Sequence, residues 1–221
     1  MNNTYHEKEV KYLLNINNHK LSINNIVEVL MRLGYKWGPR WPEGTTIHKR
    51  TKLEEYFDDS NFSLFKRGDI LRSTRHIWYN RKDITPHNFM YKKKISDPSK
   101  IYVQRIEQKN NDIRTLYEFI DSFGIDIMPD ETPKLKAVML RYDAVMVNNE
   151  TKIYVVYDRT TYQSPDGNDY TEEMLEIEDK IDQYEDRHLY RINDEMIKYL
   201  PIRLTKENKY ERGCKNLLVI K

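Results

Sequence analysis

Most of the chain alternates polar and apolar residues with a period of two, and a few stretches change to a helical period. Residues 5–14, Tyr-His-Glu-Lys-Glu-Val-Lys-Tyr-Leu-Leu, are the first alternating run. As a strand it carries Glu7, Glu9, Lys11 and Leu13 on one face and Lys8, Val10, Tyr12 and Leu14 on the other. Similar patterns predict strands over residues 45–58, 70–79, 90–95, 102–109, 136–147, 152–160 and 174–180. Asn148-Asn149-Glu150 provides a hairpin turn and residues 164–168 a second turn. Helical spacing occurs in residues 23–33, capped by Ser22 and stopped by Gly34, with Ile23, Ile26, Val27 and Leu30 as the stripe. A second helix is expected over residues 113–123, capped by Asp112, with Leu116, Tyr117 and Ile120 inward and Gly124 at its end. Residues 61–67 read as a turn or short helix ended by Gly68, and Asp194 can cap a short helix ending at Tyr199. Residues 182–191 are too polar to place. Trp37, Gly38, Pro39, Trp41, Pro42 and Gly44 mark residues 35–45 as a loop inserted into a single domain spanning residues 1–221.

Charged residues recur on matching faces of these strands. Glu176 and Glu178 share one, as do Lys92 with Lys94 and Arg105 with Glu107. Arg72 aligns with Thr74 and His76, which puts Arg75 opposite unless a bulge intervenes. Arg141 aligns with Met139 and Asp143, and Asp158 with Val156 and Tyr154. His48, Arg50 and Lys52 fall on one side, a pattern that a solvated face explains as well as a site does. About eight mostly antiparallel strands, charged on one face and apolar on the other, predict a mainly β (α+β) fold. The expectation is a closed antiparallel eight-stranded β-barrel tunnel with two or three packing helices, its apolar core outside and its lumen polar. Charges in such a lumen need partners, ions or ordered water.

Composition narrows the classes. A length of 221 residues suits one domain, and 37 Lys and Arg against 35 Asp and Glu give a net charge of +2. That balance gives no argument for a bulk nucleic-acid binder but leaves room for a local basic cavity. A single cysteine, Cys214, excludes an intrachain disulfide framework and suits a reducing compartment. The sequence has no long apolar run, so neither a signal peptide nor a membrane span is expected, and the expected location is the cytosol of a cell or of an infected host.

In order and spacing these motifs resemble the triphosphate tunnel metalloenzyme superfamily, which includes the CYTH proteins and the VTC polyphosphate polymerases. The matching residues are Glu7-x-Glu9-x-Lys11, Tyr56-Phe57-Asp58, Gly68 with Leu71-Arg72, Lys92 and Lys94, Arg105-x-Glu107, Arg141, Asp158-Arg159 and Glu176-x-Glu178. Residues 208–213 are similar to a tail segment of the VTC branch. Two positions depart from the pattern: the second cation after Leu71-Arg72 is displaced to Arg75, and the lysine expected two residues before Arg141 is Met139. The resemblance implies Mg²⁺ or Mn²⁺ on Glu7, Glu9, Glu176 and Glu178, with Asp158 assisting. It implies a triphosphate held by Lys11, Arg72, Arg75, Lys92, Lys94, Arg105, Arg141 and Lys209, and catalysis by Glu7, Glu9, Lys11, Glu107 and Glu178. Both acidic strands keep two carboxylates, which resembles the hydrolase branch, so the expected reaction is hydrolysis of a terminal phosphoanhydride. The substrate would be tripolyphosphate, a nucleoside triphosphate or an RNA 5′ end, the last guided by Trp37, Trp41, His48 and Arg50. The alternatives are a class IV adenylyl cyclase, a VTC-like polymerase, or a module that binds polyphosphate without turnover. The oligomeric state is left open.

Overall fold

The alternation seen in the sequence becomes a closed barrel. The computed structural model describes residues 3–14, 21–39, 46–77, 88–95, 97–110, 112–179 and 186–218. Among these, ten strands and five helices follow in chain order. They are β1 (Asn3–Leu14), α1 (Ile23–Arg32), β2 (Lys36–Trp37), β3 (Ile47–Phe57), α2 (Ser63–Arg67), β4 (Ile70–Ile77), β5 (Asn88–Ile95) and β6 (Val103–Asn110). Then come α3 (Leu116–Phe123), β7 (Leu135–Val147), β8 (Lys152–Gln163), β9 (Asp169–Asp179), α4 (Arg187–Tyr199), β10 (Ile202–Thr205) and α5 (Lys209–Leu217).

Eight strands are joined in the order β1-β6-β5-β4-β3-β7-β8-β9, every neighbouring pair antiparallel, and β9 pairs back onto β1 to close the ring. β10 continues the β6 side of β1 from Lys11 to Leu14, and β2 adds to the end of β7. No described helix is long and apolar enough to cross a membrane.

The apolar faces point outward and are covered by helices, as the patterning requires. Val10, Tyr12, Val155 and Ile177 on the strands meet Ile26 and Leu30 of α1 and Leu189, Ile192 and Met196 of α4. α3 covers Leu71, Phe89 and Tyr91 with Phe119 and Ile120. The third cluster differs in kind: Tyr210 and Cys214 of α5 pack on Tyr56, Leu135 and Tyr162 across one end of the barrel. Tyr56 and Tyr210 stack with ring centroids 5.4 Å apart. Asp58 fastens this end, accepting hydrogen bonds from the Leu64 and Phe65 amides of α2 (both 2.9 Å) and from the Tyr210 hydroxyl (3.1 Å).

Several local expectations are corrected. α3 starts at Leu116, because Thr115 and Glu118 form a reciprocal capping box that supersedes Asp112. Its buried residues are Phe119 and Ile120, while Tyr117 is exposed. α4 takes in the polar residues from Arg187 onward and places Asp194 mid-helix, since its buried stripe of Leu189, Ile192 and Met196 needs only one residue per turn. α5 and β10 add elements beyond the two or three expected helices. Within the loop expected at residues 35–45, Lys36 and Trp37 pair with Val147 and Met146, and Gly38 N–H donates to Val145 O (2.8 Å). Trp37 packs partly buried on the outer core, and Trp41 lies outside the described residues.

The seat of α5 leaves no room at Gly213, where an added Cβ would lie 2.3 Å from Leu135 Cδ2 and 2.8 Å from Tyr162 Cδ1. Gly213→Ala should therefore lower stability by about 1–3 kcal/mol through overpacking, read as a reduced denaturation midpoint. An unchanged midpoint would show that α5 is not packed as described.

Candidate functional site

Closure brings the charged faces of seven of the eight barrel strands, all but β8, and the start of α5 around one cavity. It holds about 220 Å³, equivalent to about seven water molecules at about 30 Å³ each, which suits a small polyanion. Nine Lys or Arg side chains line it against four Glu, so the lining is strongly cationic although the whole chain is almost neutral. A larger cleft of about 480 Å³ lies outside the barrel with a mixed lining that includes Leu13, Pro201, Ile202 and Arg203.

Strand register creates an acidic cluster in the lumen. Glu9 sits directly across from Glu178 on β9, and Glu7 is the next inward residue of β1. One carboxylate oxygen from each of these three buried residues lies within 4.8 Å of the other two. Hard oxygen donors so arranged fit a divalent cation such as Mg²⁺ or Mn²⁺. Cations border the cluster: Lys92 Nζ donates to Glu7 Oε2 (2.6 Å) and lies 3.2 Å from Glu107, while Lys11 and Arg105 lie 2.6 and 3.1 Å from Glu9 Oε1. Burial alone would lower the Lys92 pKa, but Glu107 and Glu7 outweigh it and hold the ammonium above its ordinary value. For Lys11 the balance is reversed: burial, then Arg105, bring it down to about 8 against the pull of Glu9 and Glu176. Arg105 is almost fully buried, and among the described residues its Nη2 has no hydrogen-bond partner. Arg105 lines the cavity, where an anionic oxygen within reach of that donor would satisfy it.

Asp158 and Glu176 stand beside cations and are not part of the three-glutamate group. Asp158 receives both Arg141 Nε and Nη2 (2.8 and 2.6 Å) and lies 3.1 Å from Lys209. Glu176 accepts from Lys209 (2.6 Å) and lies 3.5 Å from Arg141. Burial opposes ionisation of Glu176, yet Lys209, Lys11 and Arg141 hold it well below the usual carboxylate range. The two acids thus anchor cations outside the three-glutamate cluster, because Lys209 arrives from α5, an element that alternation does not reveal.

The remaining expected residues divide between the cavity and its surroundings. Lys11, Arg72, Lys92, Arg105, Glu107, Arg141 and Lys209 line it. Arg75 pairs across from Leu53 on the face opposite Arg72 and is not part of the lining. Lys94 extends toward α5, 4.0 Å from Glu211, and is likewise outside the lining. Lys52 lines the cavity, and Glu54 is a group the sequence reading passed over. Glu54 Oε2 accepts from Arg72 (2.8 Å) and from the Tyr56 hydroxyl (2.6 Å), and its Oε1 lies 2.8 Å from Lys52. Extending the series His48, Arg50, Lys52 by two residues would have reached it. His76 also faces inward, and burial with Lys52 and Arg50 beside it pushes it down to about 3, so its ring is neutral at pH 7.

No family model matches the sequence, and no curated protein matches it either. Solved structures do share its fold. A candidate adenylyl cyclase from Hippeastrum with a dominant triphosphatase activity superposes with a TM-score of 0.52 at 13% identity, covering 96% of this chain and 97% of its own. The PH1819 protein from Pyrococcus horikoshii OT3 gives a TM-score of 0.50 at 16% identity, covering 95% of this chain and 99% of its own. The chain therefore shares the fold of these two proteins, and that fold is the closed antiparallel eight-stranded barrel expected from the sequence.

Two stability predictions follow from the buried pairs. Asp158→Ala leaves Arg141 and Lys209 to share Glu176 alone, one buried acid for two buried cations, and should cost about 3–5 kcal/mol in denaturant unfolding; an unaltered midpoint would show Asp158 to be idle. For Glu54, burial raises the pKa, but Arg72 and Lys52 outweigh it and hold it well below the ordinary value. A depressed folded-state pKa contributes stability above the unfolded value of about 4.3, lost as pH falls through the folded value. Glu54→Gln should flatten the acid limb of the stability–pH curve, and an unchanged limb would contradict the pairing.

Proposed function

We propose that the protein hydrolyses the terminal phosphoanhydride of a triphosphate-bearing molecule within the barrel, using Mg²⁺ or Mn²⁺ held by Glu7, Glu9 and Glu178. The observation that carries this reading is the buried three-glutamate cluster, two of whose members, Glu9 and Glu178, line the cavity together with its cationic wall. Carboxylates alone would repel a polyphosphate and cations alone would merely hold it; together they fit a metal–phosphate complex. The bound ion would supply Lewis-acid polarisation of the terminal phosphoryl group.

The chain's own residues do the rest. Lys11, Lys92, Arg105 and Arg141 surround the phosphate oxygens from different strands, arginine through its fork and lysine as a point charge. The unpaired Nη2 of Arg105 gains a partner only when an anion is present, so its contribution favours bound phosphate over the free protein. Glu107, beside Lys92 at the edge of the cluster, orients the attacking water. In the reaction, the water oxygen bonds to the terminal phosphorus as the bond to the bridging oxygen breaks, giving orthophosphate and a chain one phosphate shorter.

Trp37 belongs to the outer core, so an RNA 5′ end would be recognised through its triphosphate and not by stacking on this ring. The Hippeastrum neighbour joins a candidate cyclase assignment to dominant triphosphatase activity, which makes cyclisation the second reaction to test.

Purified protein incubated with tripolyphosphate, ATP or 5′-triphosphorylated RNA should release orthophosphate with Mg²⁺ or Mn²⁺ and not with EDTA. Pyrophosphate with cyclic AMP would identify a cyclase, and binding without product would overturn the enzymatic reading. Glu9→Gln and Glu178→Gln should each lower turnover by about a hundredfold or more with the fold retained, since removing a group that acts in the transition state costs several kcal/mol. Full activity in either variant would refute the metal assignment.

A further inference from the structure

The placement of Lys52 adds a residue to this site. β3 lies between β4 and β7 in the barrel, with Lys52 directly across from His76 on one side and Met139 on the other. Arg141 is the next inward residue along β7 from Met139, and Arg72 lies farther along the inward face of β4 from His76. Lys52 is therefore set between two lumenal arginines. Its side chain is almost fully buried and lines the cavity.

We propose that Lys52 binds the phosphate chain directly and, with Arg72 and Arg141, forms a three-cation arc on the wall formed by β4, β3 and β7. This rests on the triphosphate reading of the cavity given above.

Charge accounting supports the assignment. The acid closest to Lys52 is Glu54, at 2.8 Å, but the other oxygen of that carboxylate already accepts from Arg72 and Tyr56. One buried carboxylate thus serves two buried cations, and the group of three keeps a net positive charge. A buried ammonium with half a counter-charge is costly, and an anionic ligand relieves that cost. The groups facing Lys52 are Glu54 and Arg50 on its own strand, Arg72 and His76 on β4, and Arg141 and Asp143 on β7. Burial first, and Arg141 second, bring Lys52 down to about 7 despite Glu54. His76 is neutral and Asp143 lies 3.7 Å from Arg50 and 3.8 Å from His48, so neither offsets the two arginines. A phosphate beside Lys52 restores the full charge, and binding near neutral pH takes up a proton from solvent.

The test is calorimetric titration of tripolyphosphate into the full chain at pH 7.5, with EDTA or Mg²⁺, in two buffers of different ionisation enthalpy. Wild type should bind with net proton uptake. Lys52→Met should weaken binding about ten- to a hundredfold, the effect of losing one charged hydrogen bond, and reduce the uptake. Lys52→Arg should keep affinity within a few-fold while the uptake falls, because arginine does not titrate in this range. Adding Met139→Lys to Lys52→Met should recover most of the affinity, the ammonium now arriving from the facing position. Wild-type affinity in Lys52→Met, or undiminished uptake in Lys52→Arg, would overturn the proposal. Should Lys52→Met fail to fold, the Lys52→Arg uptake decides alone. A wild type that binds neither tripolyphosphate nor ATP nor 5′-triphosphorylated RNA would overturn the functional reading itself, and this proposal with it.

Discussion

Joining the last strand to the first is the constraint on which the rest of this structure depends. Once β9 pairs with β1, alternate residues of eight strands have only a shared interior to occupy. The interior is small and its charged side chains are largely buried, so its charges have to be reconciled with one another. They are reconciled in sets. Arg141 and Lys209 share Asp158 and Glu176, Arg72 and Lys52 share Glu54, Lys92 lies between Glu7 and Glu107, and Lys11 and Arg105 flank Glu9. The apolar residues go to the outer face for the same reason and draw the helices there.

The period of two made much of this legible. It is a local property of backbone geometry, so it placed Glu7, Glu9 and Lys11 together, joined Glu176 to Glu178, and put Arg75 opposite Arg72. Alternation does not say which inward acid meets a metal and which meets a cation. That depends on register and on elements from elsewhere in the chain, and it separated Glu178 from Glu176 and Asp158. α5 was hidden because a helix that plugs a barrel needs few apolar residues: Tyr210 and Cys214 are buried, while Lys209 faces the lumen and Glu211 caps the first turn. α4 was hidden by the same economy.

Met139 is the clearest case of information held only in the third dimension. In the sequence it reads as a lost cation beside Arg141. In the barrel, Lys52 stands across the ladder from it, on a strand whose charges had looked like a solvated face. A ladder places neighbouring side chains about 5 Å apart, so one side chain can exchange strands with another while the charge seen by a ligand hardly moves.

The seating of α5 also gives the barrel a direction. Among the described residues, Tyr56, Leu135, Tyr162, Tyr210 and Cys214 form a floor with no measurable exposure, and Lys209 stands just above it. Toward the beginning of β3 and the end of β6, the side chains of Arg50 and Glu107 are 21% and 14% exposed. Under the proposed reading, a triphosphate would enter by this exposed end and stop against the floor, so the fragment nearer the mouth would leave before the phosphate cut from its tip.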